Sequence, residues 1–144
     1  MTPPTPPQQT RDQQRAKHAM DLVDRVVKAL KPDAATKFGG QARKLPMRIV
    51  ASGLGQALVF LKAKSGKSDG PPPDLLIALG DWVLNKPVAG FNPATTKSTE
   101  NTLLNAVIEG DADYLRQCTG EALAYLQWLN RFCEAEGLTA EVED

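Results

Sequence analysis

The segment that most restricts the fold runs from Lys44 to Lys64, Lys-Leu-Pro-Met-Arg-Ile-Val-Ala-Ser-Gly-Leu-Gly-Gln-Ala-Leu-Val-Phe-Leu-Lys-Ala-Lys. At about 100° per residue, Ile49, Val50, Gly53, Leu54, Ala57, Leu58, Phe60 and Leu61 share one arc roughly half the circumference wide. A surface helix needs a narrower apolar stripe, so the pattern predicts a helix near 46–64 at the centre of a bundle. Pro46 suits its first turn, where a missing N–H costs nothing and the fixed φ is already helical. On the remaining arc Arg48, Gly55 and Lys62 recur every seven residues, beside Ser52 and Val59. Two cations therefore flank a nearly side-chain-free spot, about 21 Å apart at 1.5 Å per residue. A bare, cationic outer strip invites a partner.

The flanking segments are helical as well. Thr10 or Asp12 caps a first helix that runs to about Lys31, where Pro32 stops it. Its stripe is Ala16, Met20, Val23, Val27 and Leu30, flanked by Ala19 and Val26, with Arg11, His18, Arg25 and Arg15 on a solvated or partner-facing basic line. A short helix over 33–44 follows, capped by Asp33 and weakened at Gly39-Gly40. Residues 65–73 form a loop. A fourth helix, from Asp74 to Lys86, carries Leu75, Leu76, Leu79, Trp82 and Val83, and a second long loop spans 86–97. Ser98 and Thr99 cap a fifth helix with Leu103, Leu104, Val107 and Ile108, closed by Gly110. Asp111 caps the last, near 111–136, where Leu115, Cys118, Ala122, Tyr125, Leu129 and Phe132 alternate by three and four, and Gly137 stops it. No segment shows strand-like alternation. The expected fold is all-α, a single-domain bundle of five or six helices with the central and last helices near antiparallel. Residues 1–9 read as a disordered Pro-rich lead-in, 10–137 as the bundle and 138–144 as an acidic tail.

A chain of 144 residues is long enough for one real core. No apolar run approaches the roughly 18 residues of a membrane span, and the N-terminus lacks a signal pattern, so a cytoplasmic protein is expected. Net charge is zero, yet residues 1–67 hold thirteen Lys/Arg against four acids, and residues 68–144 hold four against thirteen. That division permits nucleic-acid contact on the basic part, stacking of like copies, or pairing of the halves within one molecule. Cys118 and Cys133 lie on one helix about 22 Å apart, too far to bridge, and read as small buried hydrophobes of a reducing compartment.

A search for catalytic chemistry returns little. His18 is the single histidine, so any nucleophile–histidine arrangement would have to use it. There is no Cys/His cluster for a metal. Glu109, Asp111 and Asp113 sit at a helix junction, where acids serve caps and the macrodipole. Glu121 borders the last helix's stripe and is expected half-buried, paired with an arginine. The run from Ala63 to Ser68 imitates a phosphate loop but lacks the first glycine and a preceding strand. No cofactor is implied. The binding search does better. Lys37, Arg43, Lys44, Arg48, Lys62 and Lys64 gather about the central helix, and Arg15 joins them from the first. Such cations neutralise phosphates without reading bases. Phe60 is assigned to the core, which argues against base stacking. Phosphate-backbone contact and protein contact both remain open.

Two blocks then stand out. One is Lys44-Leu45-Pro46-x-x-Ile49-x-x-x-Gly53-Leu54-Gly55-Gln56-Ala57-Leu58-Val59-Phe60-x-x-x-Lys64. The other is Tyr114-x-x-x-x-Thr119-x-Glu121-Ala122-Leu123-Ala124-Tyr125-Leu126-x-Trp128-Leu129-x-x-Phe132. With Gln14-Arg15-Ala16, and over roughly residues 10–136, the chain resembles the small helical subunit of the type III-B CRISPR (Cmr) RNA-silencing complex. It departs from the family pattern at Ser52, where asparagine is expected, and at Arg48, a place commonly apolar or small. The resemblance implies a non-catalytic subunit in antiviral defence. It further implies head-to-tail stacking of copies beside guide-carrying backbone subunits, lining the channel for a guide RNA–target RNA duplex. The implied partners are the other Cmr subunits, copies of the chain and that duplex, with no membrane and no small-molecule substrate. A helical protein–protein adaptor without nucleic-acid contact is the alternative.

Overall fold

The computed structural model describes residues 9–85 and 98–138, so most of the Pro-rich lead-in, the 86–97 loop and residues 139–144 of the acidic tail lie outside the described residues. Among the described residues the chain forms six helices: α1 (Arg11–Ala29), α2 (Pro32–Ser52), α3 (Leu54–Ser65), α4 (Asp74–Asn85), α5 (Thr102–Glu109) and α6 (Ala112–Ala135). The fold is all-α, in a single domain. No helix among them is long and apolar enough to cross a membrane.

α1 begins with a capping box. The Gln13 amide donates to Thr10 Oγ1 at 3.1 Å while the Thr10 amide donates to Gln13 Oε1 at 2.8 Å, which satisfies two N-terminal donors at once. The helix buries Ala19, Leu22, Val23 and Val26. Met20 and Val27, expected in the stripe, stay 45% and 42% exposed. The inward face is rotated because Arg15 and His18, which an apolar count assigns to solvent, have polar partners on α4 and α6.

The largest difference from the sequence pattern lies between residues 33 and 64. A short helix followed by a central helix from Pro46 was expected. Instead α2 runs unbroken through Gly39, Gly40 and Pro46, and the break falls at Gly53. Pro46 inside a helix leaves the carbonyl four residues back without its N–H. That carbonyl, Ala42 O, accepts from Asn130 Nδ2 of α6 at 3.0 Å, so the orphan is satisfied across the interface. Gly53 takes φ 88° and ψ 158°, a region open in practice only to glycine. The chain reverses there, and α3 packs back on α2 as a helical hairpin.

α6 is the spine. α1 runs parallel to it, with Arg15 meeting Glu121 and His18 meeting Tyr125. α2 runs antiparallel, with Gly39 against Leu138 and Ala42 against Asn130; the antiparallel partner of α6 is thus this helix and not a helix over 46–64. Asp111 caps α6 through the Tyr114 amide at 2.8 Å. Its far end closes in a Schellman turn: Gly137 has φ 72°, its amide bonds Glu134 O at 3.1 Å, and the Leu138 amide bonds Cys133 O at 2.9 Å. Leu138, read as the start of the tail, is buried and completes the core. α5 starts two residues later than its expected cap, at Asn101, whose amide is held by Thr99 Oγ1.

Candidate functional site

Two polar systems emerge, and they divide the residues nominated from sequence. The first is internal. Glu121 is 5% exposed at its side chain and accepts from Arg15 Nε at 2.5 Å, Arg15 Nη2 at 2.8 Å and Trp82 Nε1 at 3.0 Å. Arg15 also reaches Asp12 at 3.2 Å, and Asp12 accepts from Trp128 Nε1 at 3.0 Å. The bidentate carboxylate holds the Arg15 guanidinium charged above its ordinary range. The Trp128 N–H, with help from Arg15, holds the Asp12 carboxyl below its own. Glu121 is thus arginine-paired as expected, and more deeply buried. Arg15 is turned to that pairing, with 17% of its side chain left exposed.

His18 belongs to the same interior seam. Its Nδ1 lies 2.7 Å from the Tyr125 hydroxyl and its Nε2 lies 2.8 Å from Asp81 Oδ2, with Trp82 stacked on Tyr125 beside it. Tyr125 is fully buried, and desolvation raises its hydroxyl pKa strongly. The basic line of Arg11, His18 and Arg25 with Arg15 therefore does not form a common outer face, because two of its members turn inward. Among the described residues no group of three His, Cys, Asp or Glu is placed to hold a metal ion.

The second system is the α2–α3 hairpin. Residues 34–68 contain no Asp or Glu and seven cations: Lys37, Arg43, Lys44, Arg48, Lys62, Lys64 and Lys67. Lys37 secures the hairpin's foot through Asp33 at 3.1 Å and through the Asp69 carbonyl. Arg43 is exposed at the rim of a groove of about 800 Å³ between α2 and α6, which also holds Asp12, Trp128, Arg131 and Glu134. Lys44 and Lys62 are half-buried. Because the chain turns at Gly53, Arg48 and Lys62 do not share one helix face, and the seven-residue line seen in sequence is broken.

The turn assembles a different group. The Arg48 guanidinium lies 4.3 Å from the centroid of the Phe60 ring, and Lys64 Nζ lies 5.3 Å from it. Gln41, 3% exposed, accepts from Arg48 Nη1 at 2.6 Å. Phe60 is 44% exposed and Val50 is 74% exposed, though both were assigned to the core. A continuous helix would turn both inward, but the corner at Gly53 ends that register. Restarting the phase at Leu54 leaves Leu54, Ala57, Leu58 and Leu61 as the buried stripe of α3. The Phe60–Lys64 pair was visible as an i,i+4 spacing. Arg48 reaches the ring only across the turn, for which spacing gives no signal.

The family model described as CRISPR-associated protein (Cas_Cmr5) matches residues 11–136. Among solved structures, the X-ray crystal structure of a CRISPR-associated Cmr5 family protein from Thermus thermophilus is similar with a TM-score of 0.68 and 26% sequence identity, covering 88% of this chain and 97% of that one. Among curated proteins no match is found. The matched span runs from α1 through α6 and so includes the whole cationic hairpin.

Proposed function

The chain belongs to the Cmr5 family of CRISPR-associated proteins, and from that premise we propose that it is the small, non-catalytic subunit of a cytoplasmic type III-B RNA-silencing complex whose α2–α3 hairpin faces RNA. In this reading copies stack beside the guide-carrying subunits, and Arg43, Lys44, Arg48, Lys62 and Lys64 follow the phosphates of the guide–target duplex. The observation that carries it is the stretch 34–68, seven cations without a carboxylate, folded into one hairpin. Ammonium and guanidinium groups neutralise phosphates without reading sequence. A subunit that must accept any guide requires that indifference. The excess of acids in residues 68–144 supports stacking, since basic and acidic parts of successive copies complement each other in a heterologous contact.

The test is RNA binding by the assembled complex carrying Lys44→Glu and Lys62→Glu, measured over a range of salt. Each lost phosphate contact lowers the slope of log affinity against log salt by about 0.7–0.9. Unchanged affinity and slope would sink the proposal. Exposed Met47, Val50 and Val59 on the same hairpin favour the adaptor as second reading. It expects the same reversals to block co-purification with partner subunits in the absence of RNA.

A further inference from the structure

We propose that Phe60, Arg48 and Lys64 form a binding site for one unpaired nucleotide, the base stacking on the Phe60–Arg48 surface and its phosphate meeting the two cations. The proposal rests on the RNA reading above and adds a ligand class to it: a base outside the duplex stack, which phosphate contacts alone do not select. Three observations carry it. First, Phe60 keeps 44% of its surface in solvent, with a guanidinium 4.3 Å and an ammonium 5.3 Å from its ring centroid. Aromatic rings and guanidinium planes are the surfaces on which splayed bases stack, and the π-face suits every base. Second, Arg48 is held in place. Gln41 lies inside the core and directs its Oε1 at Arg48 Nη1, 2.6 Å away. That bond sets the plane of the guanidinium beside the Phe60 ring, and a fixed guanidinium plane is a surface on which a base can stack. Third, Gln56 is exposed one turn before Phe60 on the same helix, where its carboxamide can meet a base edge.

A protein partner is the other occupant such a surface could take. The absence of any carboxylate from 34–68 and the dedication of a buried carboxamide to orienting Arg48 favour the nucleotide. An apolar docking strip needs neither a fixed guanidinium nor a cation on its aromatic ring.

The experiment uses the full chain and two fluorescent probes read by anisotropy at one salt concentration: a single-stranded RNA of about ten nucleotides and an RNA duplex of equal length. Phe60→Leu keeps apolar bulk but removes the π-face. It should weaken single-strand binding about tenfold, within the range of losses seen when one stacking aromatic is removed, and leave duplex binding within about twofold. Phe60→Trp should retain single-strand binding, and its added indole emission should be quenched by the strand. Single-strand affinity unchanged in Phe60→Leu, or unquenched emission in Phe60→Trp, overturns the site. If Lys44→Glu with Lys62→Glu weakens duplex binding while Phe60→Leu weakens nothing, the RNA reading stands and the nucleotide site falls. If no variant alters RNA binding, both fall. If Phe60→Leu instead prevents co-purification with partner subunits without RNA, the surface is a protein-docking site and the proposal is overturned.

Discussion

Arg15→Met should destabilise the fold far more than the loss of a surface cation does. Arg15 is 17% exposed and Glu121 5%, and the two are joined by bonds of 2.5 and 2.8 Å. Removing the arginine strands a buried carboxylate, which costs about 3–5 kcal/mol in comparable pairs. The low end applies here for two reasons. Trp82 still donates to Glu121 at 3.0 Å, and Arg11, 57% exposed, stands 4.0 Å from it. The expected loss is therefore about 3 kcal/mol, or roughly 10 °C in Tm for a chain of this size. Removing both charges in Arg15→Met/Glu121→Leu should cost less than the two single changes summed, because a buried ion pair and an apolar pair of similar volume are nearly equivalent. Its residual cost is about 1–3 kcal/mol for the orphaned Trp82 N–H. Urea denaturation followed by far-UV circular dichroism on all four proteins closes the cycle, with constant m-values confirming that stability alone has changed. A loss under about 1 kcal/mol for Arg15→Met, or a coupling below about 0.5 kcal/mol, would refute the buried-pair reasoning. At temperatures where Arg15→Met stays folded, its RNA affinity should match the unaltered chain, because Arg15 is occupied inside the bundle.

Gly53→Ala should cost about 1–3 kcal/mol through backbone strain alone, since a Cβ there meets nothing within 4 Å; Gly55→Ala, helical and equally open, should be neutral or stabilise by up to about 1 kcal/mol, and equal effects in thermal melts would contradict the assigned turn. Gly39→Ala should cost about 1–3 kcal/mol and speed hydrogen exchange at the Leu138 amide, because its Cβ would overlap the Leu138 carbonyl; slow exchange in a stable variant would contradict that packing. Burial raises the Cys118 thiol and pushes Cys133 up to about 12. With folded values above unfolded ones, their contribution to stability is full below the ordinary thiol range and is lost as pH rises through the raised values. Near pH 8 both thiols should therefore react with a disulfide reagent only at the rate of unfolding; immediate labelling of the folded chain would count against burial.

Features with local causes were legible. Asp111 capping α6 and Gly137 ending it each follow from that helix's own residues. What escaped depends on distant partners. Pro46 reads as a helix start because its lost hydrogen bond is a local defect. The repair comes from Asn130, 88 residues away, and no local pattern contains it. Gly39-Gly40 reads as a weak point because the reason for a bare backbone there, the returning Leu138, lies beyond α6. Gly53 carried the opposite ambiguity. A glycine within Gly53-Leu54-Gly55 is compatible with a helix interior, and only its φ of 88° distinguishes a corner. Misplacing that corner reversed Phe60, and with it the argument against base stacking.

Arg15 and the hairpin cations stand in different settings, and the consequences differ. Arg15 is tied to Glu121, so it supports the folded chain and has little left for a polyanion. The hairpin cations sit in a stretch, 34–68, that contains no carboxylate. Two like charges 10 Å apart in water repel by only about 0.4 kcal/mol before screening, and salt at physiological strength removes much of that. Segregation therefore costs the free chain little, about a few tenths of a kcal/mol per pair. Against a phosphate backbone each of the same cations releases a condensed counterion and contributes to affinity. A neutral composition hid this asymmetry. One arginine counted among the basic residues joins α1 to α6, while seven cations share a hairpin whose sequence from 34 to 68 holds no carboxylate.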